Sequence, residues 1–289
     1  MTVVRSKVLG FCMGVRRAVA LAETEADRMN LSGQVFSLGP LVHNPFVLSA
    51  LKNRGIDIFD ETVQNLKNCS LIIRAHGIDP FLEDDFRSRG AVIVDATCPK
   101  VKESQLKVKA LAKDGFSLFL AGDASHAEIA GLKGYAGNAL FAVVSDIEKA
   151  ESAAQELTRK NKNAKPALLG QTTFSGDDYQ KIGEMIKKYF PCLKIFNTIC
   201  SATFDRQQAL RDLLDNTEAV IIAGGRESAN TRRLFEIAQG SDLPCILIEK
   251  AEEILESFFK YKRVGICSGA STPDTVIDEI EKELKRKSE

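Results

Sequence analysis

Asp95-Ala96-Thr97-Cys98-Pro99-Lys100 marks the point where an apolar run, Ala91-Val92-Ile93-Val94, stops and a helical pattern begins. Proline suits a first helical position, because the N–H it lacks would have had no intrahelical partner there. Cys98 therefore falls beside the N-cap, where unpaired N–H groups and the helix dipole favour a thiolate. The arrangement occurs twice more. Leu9-Gly10-Phe11-Cys12-Met13-Gly14-Val15 follows Val3-Val4 and opens a helical run to about Arg28. Asn197-Thr198-Ile199-Cys200-Ser201-Ala202 follows Leu193-Lys194-Ile195-Phe196 and opens one to about Asp215. A thiol at a helix start thus recurs at roughly domain-sized intervals, which predicts three similar α/β segments: 1–97, 98–199 and 200–289.

Outward from these stretches, the order of strand, small polar loop and helix repeats. Val35-Phe36-Ser37-Leu38 leads into Gly39-Pro40-Leu41-Val42-His43-Asn44-Pro45, with Asn44 placed as N-cap, and Leu71-Ile72-Ile73 leads into Arg74-Ala75-His76-Gly77. Ser117-Leu118-Phe119-Leu120 runs into the loop of His126 and Glu128, and Ala167-Leu168-Leu169 into Gly170-Gln171-Thr172-Thr173. Ala219-Val220-Ile221-Ile222 precedes Gly224-Gly225 and Ser228-Ala229-Asn230, and Val264-Gly265-Ile266 precedes Gly269-Ala270-Ser271. Apolar runs alternating with helical patterns are the signature of parallel sheets joined by crossover helices. Residues 148–163, 177–189, 251–262 and 273–287 read as amphipathic surface helices.

Composition narrows the function. Lys plus Arg and Asp plus Glu both number 39, so no global field favours nucleic acid or an anionic membrane, and any anion site is local. No apolar stretch reaches the length of a membrane span and the N-terminus lacks a signal-peptide layout, so the expected compartment is the cytoplasm. Seven cysteines are then expected to be reduced. Cys69, Cys192, Cys245 and Cys267 lie in or beside apolar runs and are expected in the core, where a thiol behaves as a small hydrophobe. Cys12, Cys98 and Cys200 are the functional candidates.

Ligands of parallel α/β sheets bind beyond the carboxyl ends of the strands, where loops and helix N-termini offer unpaired N–H groups. The three histidines of the chain, His43, His76 and His126, all fall in such loops. Ser228, Asn230 and Ser271 add side-chain donors, and Gly224, Gly225 and Gly269 allow close backbone approach, so these loops read as an anion cradle. Neither a G-x-x-x-x-G-K-[ST] loop nor a post-strand G-x-G-x-x-G is present. His126-x-Glu128 resembles the H-x-E of zinc deaminases, but no P-C-x-x-C follows, which excludes that class. Three thiolates could hold a zinc ion with an open position or an iron–sulfur cube with one iron lacking a protein ligand, and spacing does not choose between them.

The series Gly10-Phe11-Cys12-x-Gly14-Val15, Val42-His43-Asn44, Ala75-His76-Gly77, Asp95-Ala96-Thr97-Cys98-Pro99, His126-x-Glu128, Gln171-Thr172-Thr173, Thr198-Ile199-Cys200, Ser228-x-Asn230 and Gly269-Ala270-Ser271-x-Pro273-Asp274 runs in order along nearly the whole chain. It resembles the LytB family of 4-hydroxy-3-methylbut-2-enyl diphosphate reductases, which catalyse the last step of the methylerythritol phosphate route to isoprenoids. The resemblance implies a trefoil of three parallel-sheet α/β domains around a central [4Fe–4S] cluster held by Cys12, Cys98 and Cys200. It implies that His43, His76, His126, Ser228, Asn230 and Ser271 hold the diphosphate and that Thr172 and Glu128 lie by the substrate hydroxyl. Glu128 would relay protons while a ferredoxin or flavodoxin supplies two electrons, yielding isopentenyl and dimethylallyl diphosphates. Three positions depart from the family pattern: Ala229 where a second Ser is expected, Asp123 in place of a His, and Ala127 in place of a Pro. A zinc-dependent hydrolase of phosphorylated metabolites and a non-enzymatic iron–sulfur sensor or electron carrier are the competing readings.

Overall fold

The structure, a computed structural model, describes residues 1–29, 33–63 and 65–287. The chain begins β1 (Thr2–Arg5), α1 (Met13–Met29), β2 (Gln34–Ser37), α2 (Pro45–Asn53), β3 (Ile56–Ile58), β4 (Cys69–Ile73), α3 (Pro80–Ser88), β5 (Val92–Asp95) and α4 (Pro99–Lys113). It continues β6 (Ser117–Ala121), α5 (Ala127–Ala136), β7 (Phe141–Val144), α6 (Ile147–Lys160), β8 (Pro166–Gly170), α7 (Gly176–Tyr189) and β9 (Lys194–Ile195). The remainder is α8 (Ser201–Leu214), β10 (Ala219–Ala223), α9 (Ala229–Gln239), β11 (Cys245–Ile248), β12 (Arg263–Ser268) and α10 (Asp274–Arg286). The helix starts follow the sequence chemistry. Pro45, Pro80 and Pro99 each occupy a first turn, and the side chains of Asn44 and Asp79 cap α2 and α3 by accepting from backbone N–H groups.

Two compact units divide the chain: residues 1–30, 39–58 and 201–289 form one, and residues 31–38 and 59–200 the other. In the first, the strands run β1-β12-β10-β11, each pair parallel. The N-terminal strand thus lies beside the last one, with Thr2 opposite Arg263. Helices cover both faces of this sheet. Ile221 and Ile266 pack with Val276, Ile277 and Ile280 of α10, while Val220 and Ile222 pack with Leu210 of α8 and Leu234 of α9. Burial on both faces is why these strands read as continuous apolar runs.

The second unit carries β2-β4-β5 in one parallel sheet and β7-β6-β8-β9 in another. Phe119 and Leu168 face α6 and α7, and Leu118 and Leu169 face α4 and α5. The α/β class with parallel sheets is therefore as the sequence predicts.

Two expectations require correction. Residues 251–262 do not form one amphipathic helix but two 3-10 turns, Ala251–Glu253 and Glu256–Lys260, with Ile254 and Leu255 extended between them. Ala251, Ile254 and Phe258 are still buried, so the apolar spacing is used, but through short turns rather than a regular helix. Cys192 is not in the core. It is exposed in the turn between α7 and the two-residue edge strand β9, whereas Cys69 and Cys267 are buried and Cys245, on edge strand β11, is half-buried.

Candidate active site

In the second unit, adjacent parallel strands bring their following loops together. Ala121 at the end of β6 lies opposite Gly170 at the end of β8. The loop after β8 therefore meets the first turn of α5, where Glu128 is 1 % exposed. The Thr172 N–H donates to Glu128 Oε1 at 2.7 Å and the Thr172 hydroxyl donates to Oε2, also at 2.7 Å. Burial pushes the Glu128 carboxyl up to about 7, and the two bonds from Thr172 oppose that rise. A group balanced near neutrality can hold or release a proton at working pH.

The histidines of this unit are held by the same logic. His126 caps α5, its Nδ1 accepting the Glu128 N–H at 3.2 Å, an arrangement that places the proton of a neutral ring on Nε2. The His76 ring stands edge-on to His126 with centroids 5.0 Å apart. Cys98 is joined to the His76 loop by its N–H, which donates to the Ala75 carbonyl at 2.9 Å. Cys200 is joined to Thr172 in the same way, its N–H donating to the Thr172 carbonyl at 2.9 Å. The second unit thus gathers the acid, its hydroxyl partner, two histidines and two thiols on neighbouring loops.

The first unit assembles the remaining candidates. Cys12 follows β1, and its N–H donates to the Ala270 carbonyl at 3.1 Å, tying it to the loop that carries Ser271 after β12. Ser228 caps α9, accepting the Thr231 N–H at 3.4 Å. Asn230 lies in the first turn of that helix. Asn230 Nδ2 and Ser271 Oγ are both buried without a hydrogen-bond partner among the described residues. Leaving a buried donor unanswered is costly, so two of them at helix and loop starts suit a polar ligand. Gly225 explains how His43 joins this group, since a Cβ there would collide with the His43 carbonyl.

Cys12, Cys98 and Cys200 are half-buried and form no disulfide among the described residues, and each immediately precedes or caps a helix. Cys98 makes no side-chain capping bond, while Cys12 Sγ accepts the Val15 N–H at 3.5 Å. Soft donors at helix N-termini fit an iron–sulfur cluster or zinc by chemistry. Among the described residues, no three His, Cys, Asp or Glu side chains are grouped as a metal site.

Several supporting residues lie outside the candidates drawn from the sequence. Gln171 accepts the Asp123 N–H at 3.1 Å and donates to the Thr173 hydroxyl at 2.9 Å, lacing the loop before α5 to the loop after β8. The Thr198 hydroxyl exchanges bonds of 2.7 Å with both backbone groups of Gly170, fixing the approach to Cys200. The departures from the family pattern also find places. Asp123 accepts from the Ser125 N–H and hydroxyl and so shapes its own loop, and Ala229 and Ala127 each occupy a first helical position, where the backbone N–H stays available.

Among the described residues, no helix is long and apolar enough to cross a membrane. Residues 3–285 match the family model described as LytB protein. A 4-hydroxy-3-methylbut-2-enyl diphosphate reductase from Treponema denticola is 41 % identical over 98 % of this chain and 99 % of its own length. Solved structures are similar as well. A structure titled as (E)-4-hydroxy-3-methyl-but-2-enyl diphosphate reductase, the terminal enzyme of the non-mevalonate pathway, shares 35 % identity and a TM-score of 0.74 over 99 % of this chain and 100 % of its own. The E-1-hydroxy-2-methyl-but-2-enyl-4-diphosphate reductase from Plasmodium falciparum shares 26 % identity and a TM-score of 0.85, covering 99 % of this chain and 87 % of its own. With thiols, acid and donors on the post-strand loops that the motifs mark, and a family match spanning both units, the chain belongs to the LytB family.

Proposed function

We propose that this chain is a 4-hydroxy-3-methylbut-2-enyl diphosphate reductase. It removes the substrate hydroxyl as water, using two electrons and two protons, to give isopentenyl and dimethylallyl diphosphates. The observation that carries this reading is the buried pair of Glu128 and Thr172, an acid balanced near neutrality against a hydroxyl. Loss of a hydroxyl as water needs a proton at the leaving oxygen, and this pair is built to deliver one. Protonated Glu128 gives its proton to the Thr172 oxygen while the Thr172 hydroxyl turns its own proton toward the leaving group.

Cys12, Cys98 and Cys200, one from each of the segments 1–97, 98–199 and 200–289, would hold a [4Fe–4S] cluster. When bound, the cluster supplies an iron open to the substrate oxygen and a store for electrons delivered by a ferredoxin or flavodoxin. The diphosphate falls to Asn230 Nδ2 and the Ser271 hydroxyl, both buried without a hydrogen-bond partner among the described residues, together with His43, His76, His126 and Ser228 at loop and helix starts.

Metal analysis of the anaerobically purified chain, followed by assay with the diphosphate and a chemical reductant, tests this. Brown protein with about four irons per chain that consumes substrate is expected. Colourless protein with stoichiometric zinc would overturn it in favour of a hydrolase, and a cluster-bearing protein that does not bind the diphosphate would favour a sensor.

A further inference from the structure

Arg206, in α8, is 2 % exposed, yet among the described residues its hydrogen bonds go to backbone carbonyls and none to a carboxylate. Its Nη1 donates to the Ser268 carbonyl at 2.9 Å and to the Val8 carbonyl at 3.5 Å, and its Nη2 donates to the Gly10 carbonyl at 3.0 Å. Nε is buried without a hydrogen-bond partner among the described residues. Carbonyl dipoles satisfy guanidinium N–H groups but leave the charge unanswered, and an unanswered buried charge is costly.

Burial pulls the Arg206 guanidinium below its ordinary range, and the thiols of Cys267 and Cys12 oppose that fall. Cys267 sits in β12, and burial pushes its thiol up to about 11 even against the pull of Arg206, so it stays uncharged near neutral pH. Cys12 is half-buried, and its loop is held to the 268–270 loop by the Gly10 N–H donating to Ser268 Oγ at 2.9 Å and by its own N–H on Ala270. Arg206 clasps these two loops from beneath, gripping Gly10 in one and Ser268 in the other.

We infer that Arg206 is the counter-charge of the Cys12 thiolate and that it favours the reduced form of the cluster which that thiolate helps to hold. The inference rests on the iron–sulfur reading above. With three thiolates, a cluster core of charge 2+ carries a net charge of about −1, and one added electron, with no bond or proton changed, makes it about −2. A fixed guanidinium beside one ligand stabilises the second state more than the first, which raises the reduction potential.

The test is the midpoint potential of the full-length, cluster-loaded chain, read by electron paramagnetic resonance during titration with dithionite and mediators, on samples matched for iron. Arg206→Gln is expected to move the potential to lower values, and Arg206→Lys, which restores the charge without the fork, to return it close to that of the parent. An unchanged potential in a cluster-bearing Arg206→Gln protein would reduce Arg206 to a structural clasp and overturn the inference, as would equal shifts in both variants. If Arg206→Gln does not fold, Arg206→Met, which fills much of the same space without charge, takes its place: a lowered potential supports the role of charge, and a parental one defeats it. Absence of iron from the parent protein would defeat the iron–sulfur reading itself, a result separable from any effect of the variants.

Discussion

Glu128 takes both hydrogen bonds that Thr172 can donate, one from its backbone and one from its hydroxyl, in a setting with almost no solvent. The same threonine accepts the N–H of Cys200 on its carbonyl. One residue therefore fixes the acid and one thiol together.

Replacing the acid separates chemistry from structure. Glu128→Gln keeps the shape and one acceptor but cannot cycle a proton, so turnover with a chemical reductant should fall by about 10²–10⁴-fold. Iron content and diphosphate affinity should stay near those of the parent. Activity within a few-fold of the parent, on protein matched for iron, would remove Glu128 from the proton path.

The raised carboxyl also predicts how stability follows pH. The folded-state value is about 7, above the ordinary 4.5, so the folded chain holds this proton more tightly than the unfolded chain. That contribution is fully present below about pH 4.5 and is lost as pH rises through about 7. Its full size is on the order of 3 kcal/mol, since each pKa unit corresponds to about 1.4 kcal/mol. Denaturant unfolding of parent and Glu128→Gln at pH 5 and pH 8 measures it: the parent should weaken relative to the variant at the higher pH, and parallel stabilities would contradict the assignment.

Thr172 offers a graded test of the pair. Thr172→Ser preserves the hydroxyl and should retain most turnover. Thr172→Val leaves Glu128 Oε2 buried without its donor, a loss of about 1–3 kcal/mol, and raises the carboxyl further because a lowering hydrogen bond is gone. The alkaline-side fall of the pH–rate profile should move to higher pH in Thr172→Val, and an unmoved profile would show that the hydroxyl does not govern the acid.

Ligation of a cluster is decided by serine scanning. Cys12→Ser, Cys98→Ser and Cys200→Ser should each lose the brown absorbance, whereas serine at Cys69, Cys192, Cys245 or Cys267 should keep it. Cys192 is the sharpest control, being exposed in the turn before β9 and not at the start of a helix. A cluster that survived in Cys98→Ser would remove that thiol from the ligand set.

Diphosphate recognition predicts a selective loss. Charge-assisted hydrogen bonds contribute about 1.5–3 kcal/mol each, so Ser271→Ala, Asn230→Ala or His43→Ala should weaken diphosphate binding by roughly one to two powers of ten. The corresponding alcohol without phosphates should bind these variants as it binds the parent. Equal weakening of both ligands by His43→Ala would show that this residue does not face the phosphates.

Much of this was legible in the sequence because central strands of parallel sheets are buried on both faces. β4, β6, β8 and β10 are buried along their whole length, and each was visible as an apolar run ending in small polar residues. Edge and short elements were not: β7 begins with an exposed Phe141, and β3 buries only Ile56. Motif residues such as His126 and Thr172 announced themselves by type and place. The pairing of Glu128 with Thr172 did not, since it depends on the register of β6 against β8. Arg206 was hidden for a related reason. An arginine within a helix reads as solvated surface, and only tertiary packing reveals that its fork ends among backbone carbonyls.

The pairing of β1 with β12 sets an order of assembly during synthesis. β12 stands between β1 and β10, so the opening strand has no sheet neighbour until residues 263–266 have been made. The loop of Cys12 waits equally, for the Ser268 and Ala270 groups that hold it. Contacts this distant in sequence close slowly and late. A nascent chain halted before β12 would carry an unpaired N-terminal strand and an unanchored thiol, and so would be a target for degradation and not a partly active enzyme.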